Sequence, residues 1–146
     1  MSNTTRQGGG GPPRHLLRFR FHHHRATSFG KAILAFQPRQ LIEDLLSESL
    51  PKLTKRTPSA AALRRELETI RAAGIATERD EAILGESSLA APIFDHAAHA
   101  VGAIGVVGET ERILPRGPAK GLSAAVAEAA RGVSRELGAA RWPYIA

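Results

Sequence analysis

Residues 74–95 read GIATERDEAILGESSLAAPIFD, and the change of rhythm inside this stretch decides the fold. Before it, Leu63, Leu67 and Ile70 recur at i, i+4 and i+7, the spacing of one helix face. Arg64, Arg65, Glu66, Glu68 and Arg71 fall on the solvent side of that helix. Thr57-Pro58 supplies its start signal, a cap followed by a residue suited to the first turn. Gly74 follows the last periodic residue and reads as the C-cap. Beyond Gly74 the helical spacing stops. Residues 88–94 (SLAAPIF) and 101–107 (VGAIGVV) are apolar runs of strand length, and residues 95–100 between them form a loop of hairpin size. Pro92 has no N–H to give, so its strand needs an edge or a bulge there. Gly102 and Gly105 leave room for a close neighbour, either backbone or ligand.

Upstream, Thr27 or Ser28 is placed to cap a helix whose apolar side is Ala32, Ile33, Ala35 and Phe36. Pro38 closes that helix and opens the next, where Leu41, Ile42, Leu45 and Leu46 repeat at helical spacing and Pro51 ends the segment. Downstream, residues 118–138 predict a long helix with Leu122, Val126, Ala129, Val133 and Leu137 as its stripe. Trp142-Pro143-Tyr144 is a short tail able to pack back on the domain. Helices, then strands, then a long helix predict an α+β domain with an antiparallel sheet packed against helices.

The chain has 146 residues, the size of one domain, and 42% of them are hydrophobic. Aromatic residues make up only 5%, so Leu, Ile, Val and Ala must build the core. The absence of cysteine excludes disulfides, Cys-ligated zinc and a thiol nucleophile, and fits a reducing cytoplasm. No apolar run approaches the roughly 18 residues of a membrane helix. The formal charge is +6, but residues 1–25 hold Arg6, Arg14, Arg18, Arg20 and Arg25 and no acid. The remainder, with 15 basic and 14 acidic residues, is close to neutral and offers no evident basic face for a duplex. Residues 1–24 read as a low-complexity basic arm, GGGGPP at 8–13 being unable to hold a helix or strand. That arm is expected to be disordered, or at most one short edge strand in which Leu17, Phe19 and Phe21 alternate with Arg18 and Arg20. The folded part is then 25–146.

Residues 74–95 resemble the signature of the effector-binding domain of the IclR family of bacterial transcription regulators. Gly74, Glu81, Ser88, Leu89, Ala90, Ile93, Phe94 and Asp95 fit that pattern, and Glu78 stands where the family usually has Asp or Ser. RATSFGKAILAF at 25–36 is similar to the family's HAT-x-x-GKA-x-LA segment, with Arg25 in place of the usual His. Leu53-Thr54, Thr57, the helix at 63–70, the strand at 101–108 and Arg112 follow in the family's order. The resemblance implies a GAF-like fold, incomplete here, because the family's winged helix-turn-helix and the sensor's first strands should precede Arg25. It implies a ligand-sensing and oligomerising module in the cytoplasm with a small-metabolite effector, often a carboxylate. It implies no enzyme activity, no cofactor and no membrane. The expected partners are another copy of the chain or an intact paralogue, and direct sequence-specific DNA binding is not expected. A truncated gene or a misplaced start would account for the arm; sequencing for a winged-helix reading frame upstream tests that.

The same resemblance places the effector at Ser28 and Phe29, through backbone N–H groups at a helix start, and at Glu78 and Ser88. Each has an ordinary reading too: a capped helix start, a solvated turn within Glu78-Arg79-Asp80-Glu81, a plain strand residue. Gly105 and Val107 stand where the family often carries hydroxyls. A hydrogen bond to a charged ligand contributes about 1.5–3 kcal/mol, so their loss implies a less polar ligand or a decayed pocket. His22-His23-His24 offers at most an adventitious metal site. Gly30-Lys31 lacks the glycines of a phosphate loop, and no catalytic constellation stands out. Two rival readings remain. One is a non-functional fragment with an exposed sheet edge. The other is a weak, salt-dependent nucleic-acid binder that deletion of residues 1–24 would abolish.

Overall fold

Thr27 opens the first helix, as its position predicts: its hydroxyl accepts from Gly30 N at 3.1 Å. This is α1, Ser28–Leu34, in a computed structural model that describes residues 26–143. The arm expected at 1–24, including its histidines and arginines, lies outside the described residues, as does Tyr144. Helix α2, Arg39–Leu46, follows Pro38 and buries Ile42, Leu45 and Leu46. Helix α3, Ala60–Ala73, buries Leu63, Leu67 and Ile70 as their spacing requires. It starts later than Thr57-Pro58 predicts. Ser59 is the cap, accepting from Ala62 N at 3.2 Å. The Thr57 hydroxyl is used elsewhere: it accepts from Leu53 N and Thr54 N and donates to Glu81 O at 2.7 Å. Gly74 ends α3 at φ +77, and a Cβ there would meet Pro143 Cγ at 2.6 Å, so glycine is required twice over.

The sheet has three antiparallel strands in the order β1-β2-β3. The second and third, β2 Glu86–Phe94 and β3 Ala100–Glu109, are the expected hairpin, two residues longer at the loop-distal ends. Asp95 closes the loop by accepting from Ala97 N and His99 N. Strand β1, Ala76–Arg79, was not legible: its inward residues are Ala76 and Glu78, so it carries no apolar alternation. Pro92 finds both accommodations that its missing N–H demands. A register shift follows at Ile93/Phe94, and β1 pairs with β2 only as far as Ala90. The edge left free is filled by the C-terminal part of the chain. Pro92 O accepts from Trp142 Nε1 at 2.6 Å, and Phe94 N donates to Ser134 Oγ at 3.0 Å. The tail does pack back, with Arg131 5.3 Å over the Trp142 ring.

After a short α4, Thr110–Ile113, the long helix α5 spans Leu122–Glu136. Its buried line is Val126, Ala130 and Ser134, whereas Val133 and Leu137 are exposed. The predicted stripe drifted by following apolar residues. Ser134 belongs inside because its hydroxyl donates to Ala130 O and accepts from Phe94 N. Helices α1, α2 and α3 cover one face of the sheet, where Ala76 and Ala90 meet Leu34, Leu45 and Leu63. Helix α5 covers the other, where Leu89 and Ala91 meet Val126 and Ala130. Strand β2 is thus buried on both faces, which is why it reads as a continuous apolar run.

Candidate functional site

Strand pairing sets Glu78 of β1 opposite Ser88 of β2, and directly opposed residues share a face of the sheet. The start of α1 lies against that face. Ser28 N donates to Ser88 Oγ at 3.3 Å, and Ser88 Oγ donates to Glu78 Oε2 at 3.1 Å. Glu78 Oε1 accepts from Glu81 N at 2.7 Å and Ala82 N at 3.1 Å, which folds the turn after β1 around the carboxylate. Ser28, Ser88 and Glu78 are 0%, 2% and 4% exposed, so Glu78 is not the solvated turn residue that its charged neighbours suggest. Three of the four expected site residues therefore meet in one buried polar chain. The fourth, Phe29, is half-buried against the core of α1–α3 and takes no part in that chain. The Ser28 hydroxyl is the exception within it: buried, and without a hydrogen-bond partner. Leaving such a group unsatisfied costs about 1–3 kcal/mol.

One turn along α1, Lys31 is completely buried. Its ammonium sits 2.5 Å from Glu81 Oε2, 3.0 Å from Glu66 Oε2 and 3.3 Å from Thr77 O. Burial pushes the Glu81 carboxyl up to about 7; Lys31 opposes this, and the charges of Glu66 and Glu78 add to it. Thr54 and Thr57 hold the Glu81 carbonyl from outside. The Glu78–Glu81 turn is thereby tied to α1, α3 and the preceding loop. Lys31 serves this ion-pair cluster, a role that Gly30-Lys31 does not announce, and Glu66, expected on the wet face, keeps its side chain 39% exposed while one carboxylate oxygen reaches Lys31. A signal was available: Glu66 lies three residues after Leu63 and four before Ile70, on the apolar stripe itself.

The neighbouring residue on β2, Ser87, faces the other way. Its hydroxyl meets Thr110 Oγ1 at 2.8 Å, Thr110 donates to Asp80 Oδ1 at 2.7 Å, and Gly85 N donates to the same oxygen. The Thr110 hydrogen bond holds the Asp80 carboxyl below its ordinary range. An open groove of about 420 Å³ lies beside this network, lined by Lys55, Arg56, Asp80, Gly85, Glu109 and Thr110 among others. None of the expected site residues lines it. Asp80, Thr110 and Ser87 already satisfy one another there, whereas the Ser28 cluster keeps an empty valence.

Gly105 has a structural reason. A Cβ there would collide with Leu89 O and come within 2.8 Å of Ala90 Cα, so the close neighbour is backbone. No hydroxyl-bearing side chain fits at that position. Val107 is paired with Ser88 and is 54% exposed, so the cluster lies one strand from solvent. Among the described residues no group of acids and histidines could hold a metal, and no helix is long and apolar enough to cross a membrane.

A family model described as the C-terminal domain of the bacterial transcriptional regulator IclR matches residues 20–135. A glycerol operon regulatory protein of Streptomyces griseus is 42% identical over 118 residues, which are 80% of this chain and 46% of that protein. The chain thus spans about half the length of that curated relative. A crystal structure of an IclR-type regulator from a Silicibacter species superposes with a TM-score of 0.72 at 28% identity, over 84% of this chain and 47% of the other. The C-terminal domain of the E. coli regulator KdgR superposes at 0.67 and 26% identity, over 78% of this chain and 70% of that domain. The α+β fold with its antiparallel sheet is the one these structures share.

Proposed function

The chain belongs to the IclR family of bacterial transcriptional regulators, through that family's C-terminal effector-binding domain, and from that premise we propose that it senses a small molecule at Ser28, Phe29, Glu78 and Ser88. One observation carries the assignment: the Ser28 hydroxyl is buried and unpartnered next to Ser88 and Glu78. A ligand polar atom there satisfies the hydroxyl and joins a ready hydrogen-bond chain. On β3, Val107 is exposed opposite Ser88. Phe29, following Ser28 in α1, supplies an apolar wall to the ligand.

The role is regulatory and not catalytic, in the cytoplasm, and it is exercised through association with another copy or with an intact relative. Binding acts by favouring one arrangement of such partners over another, which requires different ligand affinities in the two arrangements. The test is a thermal-shift screen of small metabolites on the full chain. A ligand present at about 100 times its dissociation constant adds roughly 2.7 kcal/mol. Ser28→Ala should remove that gain. A stabilising metabolite whose effect survives Ser28→Ala places the site elsewhere.

A further inference from the structure

The hydrogen-bonding capacity left open in this cluster is mostly that of acceptors. The Lys31 ammonium donates to Glu81 Oε2 and Thr77 O and forms an ion pair with Glu66 Oε2, an oxygen that is itself buried without a hydrogen-bond partner. Two carboxyl groups and a carbonyl thus surround its charge. Glu78 Oε1 accepts twice and its Oε2 once, so Oε2 keeps acceptor capacity. Ser88 Oγ donates once and accepts once, leaving one acceptor position. Ser28 Oγ is wholly open as donor and acceptor. Open acceptors outnumber open donors, and three carboxyl groups, Glu78, Glu81 and Glu66, lie near the single Lys31 ammonium.

We infer that this site selects a small uncharged polyol, with one hydroxyl on Ser28 Oγ and a second donated to Glu78 Oε2, and excludes the carboxylates that the family resemblance suggests. An ionised carboxylate brings only acceptors and a negative charge into a buried site whose spare groups are acceptors beside Glu78. An alcohol brings a donor and an acceptor on each oxygen. This inference rests on the proposed effector site and adds the ligand's chemical class.

The test is calorimetric titration of the full chain at pH 7.5 with glycerol and 1,2-propanediol, and with sodium glyoxylate and sodium pyruvate. The expected result is saturable binding of at least one polyol, weakened at least tenfold by Ser28→Ala, with both carboxylates at least tenfold weaker than that polyol. Glu78→Gln keeps an oxygen for the Glu81 and Ala82 amides and removes the charge, so carboxylate binding should strengthen at least tenfold. Ser28→Ala gives a reading even if Glu78→Gln fails to fold. A carboxylate that binds better than either polyol and is weakened by Ser28→Ala overturns the ligand class and leaves the site standing. Polyol binding indifferent to Ser28→Ala, or binding by neither class, overturns both.

Discussion

Replacing Ser28 by alanine should make the unliganded protein more stable. The side chain is completely buried and its hydroxyl has no hydrogen-bond partner, whereas the backbone N–H of the same residue already donates to Ser88. Truncation therefore removes an unsatisfied group without touching the bond that fixes the start of α1. The desolvation penalty relieved is about 1–3 kcal/mol. Alanine also favours a helix over serine by a few tenths of a kcal/mol. Against these stands the packing lost with one oxygen atom, on the order of 0.5 kcal/mol. The net expectation is a gain of about 1–2 kcal/mol, or a rise in Tm of a few degrees for a domain of this size. Urea unfolding followed by circular dichroism at 25 °C measures it. Ser87→Ala is the control, because the Ser87 hydroxyl is buried but paired with Thr110; it should lose about 1 kcal/mol. If Ser28→Ala instead loses 1 kcal/mol or more, the hydroxyl is engaged in the free protein. The vacancy on which the site assignment rests then does not exist. A gain coupled to loss of ligand response is the usual trade between stability and a binding site held open.

Two further outcomes follow from the same region. Glu81 titrates at about 7 in the folded protein against an ordinary value of 4.5, so the folded state holds its proton more tightly. Its contribution is complete below about 4.5 and fades as pH rises through about 7; unfolding free energy should fall over that window by on the order of 2 kcal/mol after allowance for solvent screening. Glu81→Gln should flatten that slope, and identical wild-type and variant profiles from pH 5 to 8 would refute the assignment. Gly105→Ser should destabilise by about 2 kcal/mol or more, because its Cβ meets the β2 backbone; a variant that unfolds at the wild-type urea concentration would show that β3 can shift to admit it.

Much of the architecture was open to reading because it depends on spacing and on residues with few conformational choices. Leu63, Leu67 and Ile70 bury as a helix face must, Gly74 takes the left-handed turn, and Thr27 caps α1. The hairpin was legible because β2 is apolar on both faces and Asp95 can close its loop. Failures occurred where a polar side chain does the work of an apolar one. Strand β1 points Glu78 inward, α5 buries Ser134, and α3 turns Glu66 toward Lys31. Glu78 and Ser134 are admitted to the interior by partners from a different element, Ser88 and Phe94 N, and Glu66, its side chain 39% exposed, reaches Lys31 across elements in the same way. Local periodicity carries no record of such partners. The start of α3 failed for the same reason, since the Thr57 hydroxyl is claimed by the Glu81 carbonyl 24 residues away.

The candidate site divides along that line. Family resemblance singled out Ser28, Glu78 and Ser88, but composition gave them ordinary readings, and only folding brings them into one chain. What the resemblance could not supply is the sign of the site. Lys31 is a cation two residues beyond Phe29. In the folded protein it is buried against Glu81, Glu66 and the Thr77 carbonyl, and Glu78 is the charged group in the Ser28–Ser88 chain. A cation already paired with carboxylates attracts a further anion far less than a bare one, so Lys31 by itself does not make the proposed site an anion site.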